Sequence, residues 1–393
     1  MRIRIRIFIP VAVLIALSSC SWYAPQPQPD QGRATPNPAL AAQLENQLAE
    51  KLIDDCLSQI DGIPAGFRRK QLETCRNKLT QALNPQLLSV QMALKLEIMN
   101  FVIERDALIL SPEFSDQIYQ KTGIRTDIES VRVSIDSKLQ KISTEGSVPG
   151  IKEVSTQDKQ QYLDAIGNQL MRAQVLTQEL LPQNQIIDEL ALVDGDLHLF
   201  EYRENTIHIN LSTAQAFSFT PQVIAVFYGI PGEHVYSSLG TRQPFDKALK
   251  LPAISTGWGI YIMEVLNDSE GFDDAASRQA RANYLFWLLL IAKADLELNS
   301  ASITEKDARL MLTEHNISND SADIIVQTAT LAKGHYAAAV LVANELSSML
   351  RLAKGSDGFS QTDFTITEFH QTILENSPAP LPVIKQKVEQ RFQ

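Results

Sequence analysis

Apolar residues recur at helical spacing from Ala39 to the C-terminus, and this periodicity limits a chain of 393 residues to a largely helical architecture. Leu44, Leu48 and Leu52, for example, follow one another at intervals of four. Such intervals place side chains on one face of an α-helix and do not fit a strand. The sequence therefore predicts a mainly α, multi-helical fold. Further helices are predicted over residues 155–182, 220–240, 256–268, 273–300, 319–353 and 365–376.

One β element interrupts the helical pattern. Apolar residues alternate through Leu197–Ser212 on both sides of a turn near Glu204-Asn205, which predicts a small β-hairpin. In a hairpin with a two-residue turn, His198 and His208 point to opposite faces, so they do not share a metal ion. His208 then lies opposite Glu201.

The first twenty residues have the composition of a cleaved export signal. Three arginines precede an eleven-residue apolar run, Ile7–Leu17, and Leu-Ser-Ser-Cys follows. The run is shorter than the ~20 residues that a membrane-spanning helix needs. Because the signal ends at Cys20, it resembles a bacterial lipobox, which predicts diacylglycerol on the Cys20 thiol and a fatty acyl chain such as palmitate on its amine. The alternative is an ordinary secretory leader with a chance cysteine.

The residues after the signal predict a tether and then two helical halves. Residues 20–38 are rich in Pro and Gln and have no apolar period, so they form no core. We expect an N-terminal half over residues 39–190 and a C-terminal half over residues 191–393. Ser21 follows the modified cysteine, and by resemblance to bacterial sorting rules this indicates the periplasmic face of the outer membrane. A formal net charge of −11 argues against a nucleic-acid partner.

Two cysteines flank a predicted helix break at residues 61–64. Cys56 and Cys75 would face each other if the two flanking helices are antiparallel, and an exported protein meets oxidising conditions. A disulfide and two buried thiols both remain open, and both are structural roles.

Common catalytic motifs are absent from the sequence. Its six histidines include no H-E-x-x-H pair, and there is no C-x-x-C, G-x-S-x-G or phosphate-binding loop. On motifs alone, the chain is not identified as an enzyme.

Five short segments of the second half nevertheless occur in a recognisable order. They contain Pro-Gly-Glu-His, Gly-Trp-Gly-Ile-Tyr, Asp with Asn four residues later, Gly-His, and Phe-His before a Pro-Leu pair. Their positions are 227–236, 256–264, 295–299, 333–335 and 369–374, with Pro-Leu at 380–381. In content and order they resemble the bacterial family catalogued as domain of unknown function 885. That family comprises helical, zincin-like proteins, several of them lipoproteins, that are regarded as metal-dependent peptidases.

The resemblance also implies that the metal-binding residues have been replaced. Where the family has His-Glu, this chain has Phe227-Tyr228, and where the family has His-His it has Glu233-His234. Phenylalanine and tyrosine supply neither an imidazole ligand nor a carboxylate base. The glutamate of the family's E-G-W is Thr256. Since a catalytic zinc needs about three protein ligands, the resemblance favours a metal-free pseudoenzyme.

Three functions follow from this comparison. The first is a lipid-anchored, non-catalytic binding or scaffold protein with a cleft for a peptide, protein or apolar ligand. The cleft would be lined by Phe227, Tyr228, Tyr236, Trp258 and Tyr261, for which core packing is the alternative. The second is a metallopeptidase with zinc on Glu233, His234 and Glu264, and with Tyr228 or His335 as the proton donor. The third is a purely structural envelope lipoprotein.

Overall fold

A computed structural model describes most of the chain from Pro38 onward. The described residues are 3–5, 38–60, 63, 69–108, 111, 113–145, 159–176, 180–181, 190–194, 201–211, 214, 217, 219–240, 251–266, 274–355 and 364–392. The predicted lipidation site Cys20, almost all of the predicted tether, and His198 lie outside the described residues.

The mainly α prediction is confirmed. The helices are α1 (Pro38–Ile60), α2 (Arg69–Ala82), α3 (Val90–Ala107), α4 (Phe114–Thr122), α5 (Ile128–Glu145), α6 (Lys159–Leu176), α7 (Pro221–Ile224), α8 (Glu233–Gly240), α9 (Pro252–Val265), α10 (Ala275–Asn299), α11 (Glu305–Glu314), α12 (Asn319–Ala332), α13 (His335–Ala353), α14 (Ile366–Glu375) and α15 (Leu381–Phe392). None of the described helices combines the length and the apolar character required to cross a bilayer.

The chain divides into two compact units, residues 8–107 and residues 1–7 with 108–393. The sequence analysis placed its boundary after residue 190 instead. The difference arises because α4, α5 and α6 pack against helices of the C-terminal half, α5 along α10 and α4 against α13. These contacts join elements far apart in sequence.

The smaller unit contains α1, α2 and α3. Ala49 and Ile53 of α1 are buried together with Leu72 and Leu79 of α2 and Met99 of α3. The unit therefore has its own apolar core.

Cys56 and Cys75 join α1 to α2. Their Cα atoms are 5.6 Å apart, and the two sulfur atoms form a disulfide in the structure. Of the two arrangements that the sequence left open, the structure has the bonded one.

The larger unit is built around α9 and α13. The α9 residues from Ala253 to Met263 are all buried, as expected for a helix that is apolar all round. A Cβ added at Gly257 would lie 2.5 Å from the Cβ of Val342 and 2.7 Å from the carbonyl oxygen of Ala339. Glycine therefore allows α9 to approach α13 this closely.

The predicted hairpin is also confirmed. Strands β3 (Glu201–Arg203) and β4 (Thr206–Ile209) pair antiparallel, and Glu201 lies opposite His208 in the backbone register. Glu204 and Asn205 have φ values of 51° and 57°, which is the backbone of a type I′ turn.

Two strands that the sequence analysis did not predict extend the hairpin. Strand β2 (Leu190–Asp194) pairs parallel with β4, and β1 (Ile3–Ile5) pairs antiparallel with β2. The sheet order is β1-β2-β4-β3. Because β1 lies in the predicted export signal, cleavage before Cys20 would leave a sheet of three strands.

Candidate functional site

The candidate site begins at the turn that leads into α8. Thr220 caps α7, and the chain continues as a π-helical turn, Ala225–Gly229, and a cis Ile230-Pro231 bond. A Cβ at Gly232 would lie 1.9 Å from the carbonyl oxygen of Phe227, so only glycine fits there. The Pro-Gly pair of the first sequence segment therefore sets the start of α8.

The second segment contacts the first through Trp258. The indole Nε1 of Trp258 donates a hydrogen bond to the carbonyl oxygen of Pro231 at 2.8 Å, and both groups are buried. The Trp258 ring also meets the ring of His370 edge to face, with centroids 5.2 Å apart. Trp258 thus links the α8 turn to α14.

His370 uses both ring nitrogens in this core. Its Nδ1 lies 2.7 Å from the carbonyl oxygen of Leu180, so Nδ1 is the donor. Its Nε2 then accepts from the hydroxyl of Tyr261 at 2.9 Å. Burial lowers the pKa of His370 to about 4 and raises the pKa of Tyr261 well above its ordinary value. The pair is neutral at physiological pH and fixes α9 to α14.

His234 is buried at the start of α8 and contacts the hairpin. Its Nδ1 lies 2.9 Å from the hydroxyl of Tyr202 on β3 and 3.3 Å from that of Ser238. The neighbouring Glu233 is also buried, with 4% of its surface exposed. The histidine that the sequence singled out as a ligand is thus hydrogen-bonded within the protein.

A second polar group surrounds Asp295 of α10. Its carboxylate accepts hydrogen bonds from the backbone N–H groups of Gly334, Tyr336 and Ala337 at 2.6–3.2 Å, and from the side chain of Asn299 at 2.8 Å. The three backbone donors belong to the N-cap and first turn of α13, where N–H groups lack intrahelical partners. The third and fourth sequence segments therefore meet as a buried helix cap.

The pKa of Asp295 reflects two opposing effects. Burial raises it to about 6, while the three backbone N–H groups and the nearby Lys121 hold it down. At neutral pH the carboxylate is ionised and is stabilised by these donors.

Thr256 and His335 join the same region. The Thr256 hydroxyl lies 3.2 Å from Nε2 of His335, the first residue of α13. Burial, with a smaller effect from Lys121, lowers the pKa of His335 to about 3. His335 is therefore neutral at physiological pH, as a hydrogen-bonded imidazole.

Lys121 of α4 is the half-buried cation of this region. Burial lowers its pKa. Two smaller effects act on the same pKa: Asp295 raises it, and Lys333 lowers it further. Within the described residues, its ammonium group has no hydrogen bond or ion pair. The sequence analysis did not single out Lys121. The residue lies in α4, about 170 residues before Asp295, and only the tertiary fold brings the two charges together.

The predicted zinc ligands do not form one group. Glu264 of α9 forms an ion pair with Lys138 and accepts a hydrogen bond from Ser347 at 3.3 Å. His234 instead contacts Tyr202 and Ser238. Among the described residues, no three His, Cys, Asp or Glu side chains lie together as a metal site.

The aromatic residues predicted for a cleft all lie in the core. At most 6% of the surface of each is exposed. Phe227 packs edge to face on Tyr228 and Tyr284 with ring centroids 4.8 and 5.0 Å apart. This placement corresponds to core packing, the alternative that the sequence analysis gave. The residues are Phe227, Tyr228, Tyr236, Trp258 and Tyr261.

Solved structures with the same fold provide the comparison with known proteins. One, from Colwellia psychrerythraea, is described as a "putative lipoprotein"; it has 15% identity and a TM-score of 0.59, over 90% of this chain and 72% of that chain. Another, from Shewanella oneidensis, is described as a "putative lipoprotein of unknown function"; it has 13% identity and a TM-score of 0.53, over 89% and 72%. No family model and no curated protein matches the sequence. At these identities, the likeness establishes a shared fold.

Proposed function

We propose that the chain is a lipid-anchored, non-catalytic protein of the bacterial cell envelope that binds or scaffolds a peptide or protein. The anchor is Cys20, at the end of the predicted export signal, and Ser21 favours the periplasmic face of the outer membrane. The descriptions of the Colwellia and Shewanella proteins as lipoproteins support the anchor.

The hydrogen bonding of three histidines supports a non-catalytic role. His370 has a partner on each nitrogen, and the Nδ1 of His234 and the Nε2 of His335 lie within hydrogen-bonding distance of hydroxyl groups. To bind zinc through these nitrogens, the protein would lose contacts that join α8 to β3, α13 to α9 and α14 to α9. The observation that carries the proposal is therefore the use of both nitrogens of His370 in the core.

The placement of the five sequence segments supports descent from a peptidase-like ancestor related to domain of unknown function 885. Trp258 contacts Pro231, Tyr261 contacts His370, and Asp295 contacts Gly334. Each contact joins two different segments. In this proposal the helical scaffold has been retained, while the residues at the metal-ligand positions have been replaced. Glu264 forms an ion pair with Lys138 and has a structural role.

Lys121 is the group that we assign to ligand binding. Its charge acts on both the ionised Asp295 and the neutral His335, and within the described residues its ammonium makes no hydrogen bond or ion pair, so it can bind a carboxylate of a peptide. Lys121→Met should weaken binding of acidic peptides several-fold, and circular dichroism checks that the variant remains folded, since it also loses a charge that stabilises the Asp295 carboxylate.

The anchor is tested by expressing the full chain in bacteria with a radiolabelled fatty acid. The wild-type chain should carry label and sediment with membranes, and Cys20→Ser should lose both properties. Cys56→Ser is the matched control and should retain the label. An unlabelled wild-type chain in the soluble fraction would refute the lipid anchor.

A further inference from the structure

An exposed leucine stripe lies on the first three turns of α1. The residues Leu40, Leu44 and Leu48 are 53%, 58% and 40% exposed. Leucines at intervals of four lie along one side of a helix. Large apolar residues that are exposed as a contiguous patch commonly mark a binding surface.

The leucine stripe faces away from the core of its own unit. Ala49 and Ile53 of α1 are buried, with 0% and 1% exposure, in the core with α2 and α3. Each follows a stripe leucine by nine residues, which is two and a half helical turns. Leu40 is therefore opposite Ala49, and Leu44 is opposite Ile53, so α1 has two apolar faces and buries only one.

The area of the stripe is too small for a stable protein partner. Its three half-exposed leucines offer roughly 300 Å², against about 800 Å² per partner in a standard protein interface. A second copy of the chain would therefore bind weakly through this surface. A contact of this size becomes effective only when something else holds α1 close to its target.

The predicted lipid anchor holds α1 close to a bilayer. Seventeen residues separate Cys20 from Pro38, the first residue of α1. A chain of that length spans about 20 Å as a coil and about 50 Å as a polyproline helix. Two aromatic residues, Trp22 and Tyr23, follow Cys20 and Ser21, and such residues favour the membrane interface.

We propose that the leucine stripe of α1 rests on the membrane to which Cys20 is anchored. The inference rests on the proposed lipid anchor and adds a second, apolar attachment that orients the smaller unit on the bilayer. Because α1 carries four acidic residues and one lysine, the contact is apolar and favours neutral lipid over anionic lipid.

The test uses a chemical anchor in place of the cellular one. The mature chain from Cys20 to Gln393 has one free thiol, since Cys56 and Cys75 are bonded. Coupling Cys20 to a maleimide lipid in phosphatidylcholine–phosphatidylethanolamine vesicles reproduces the attachment, and coupling it to a soluble maleimide gives the reference. Hydrogen–deuterium exchange is then measured over residues 38–48.

On vesicles, we expect amide exchange over residues 38–48 to slow by about fivefold or more relative to the soluble reference. The triple variant Leu40→Gln, Leu44→Gln, Leu48→Gln should lose this protection, since glutamine retains helix propensity and removes the apolar face. The matched control replaces three exposed leucines of the larger unit, Leu310, Leu331 and Leu352, with glutamine and should keep it.

Two results would overturn the inference. Equal exchange on vesicles and in solution would show that the stripe does not touch the bilayer. Protection in solution that disappears on dilution would assign the stripe to a second copy of the chain. Because the anchor is chemical, failure of cellular lipidation at Cys20 would be seen in the labelling experiment and would leave this measurement unaffected.

Discussion

The indole nitrogen of Trp258 donates a hydrogen bond to the carbonyl oxygen of Pro231 at 2.8 Å, in a part of the core that excludes solvent. The two residues belong to separate sequence segments, 256–264 and 227–236. In this protein, they connect α9 to the turn before α8. The contact therefore gives both residues a role in the packing of the core.

The approach of α9 to α13 should depend on Gly257. We expect Gly257→Ala to reduce the free energy of unfolding by about 2–3 kcal/mol, because the new Cβ would overlap Val342 and the Ala339 carbonyl oxygen. Urea denaturation measures the change. Gly259→Ala is the control and should have a smaller effect, since its Cβ meets only ring atoms of Phe227 at 3.0 Å or more. An equal loss of unfolding free energy in the two variants would contradict the role of Gly257 in the close approach of α9 to α13.

The buried His370 should make stability depend on pH. Its pKa is lowered from 6.5 to about 4, so the folded state binds fewer protons than the unfolded state. The stability from this group is complete above pH 6.5 and is lost as the pH falls toward 4, at about 1.4 kcal/mol per pH unit.

The difference in unfolding free energy between wild type and His370→Asn should therefore narrow over that pH interval. Tyr261→Phe keeps the imidazole and is the control, so its difference from wild type should change less with pH. A constant difference for His370→Asn would contradict the assignment of a neutral, buried imidazole.

The cap of α13 should depend on Asp295. Asp295→Ala removes the acceptor of three backbone N–H groups and of Asn299, and we expect a loss of about 3 kcal/mol in unfolding free energy. Amide exchange over residues 334–338 should also accelerate. Thr304→Ala removes an exposed cap of α11 and should cost only about 1 kcal/mol. A loss at Asp295 no larger than at Thr304 would argue against the buried cap.

The smaller unit should depend on its disulfide. The bond joins residues 19 apart in sequence, a loop for which removal typically costs about 3 kcal/mol. We expect Cys56→Ser with Cys75→Ser to lower the stability of α1–α3, measured by amide exchange over residues 38–107. Reduction of the wild-type chain by dithiothreitol should give the same pattern, and an unchanged exchange rate would contradict it.

The sequence predicted the features that are encoded locally. The helix predicted over residues 273–300 is present as Ala275–Asn299, and so is the turn at Glu204-Asn205. These signals depend on residues within four positions of each other, so spacing alone reveals them. Strand β2 was missed because its partners, β1 and β4, are identified only by the tertiary fold.

The candidate site was harder to predict for the same reason. Helical spacing identifies Tyr228 and Trp258 as apolar-face residues but does not reveal whether that face lines a cleft or a core. The contact of His234 with Tyr202, and the position of Lys121 near Asp295, join distant parts of the chain. Such pairings follow from packing, which the sequence pattern does not specify.

The central proposal is that the chain has a peptidase-like scaffold and performs no metal chemistry. It is tested most directly by measuring zinc in the purified mature protein, together with peptide cleavage, for wild type and His234→Ala. We predict substoichiometric zinc and no cleavage above background in either protein. One zinc per chain with peptide cleavage, both abolished by His234→Ala, would contradict the account.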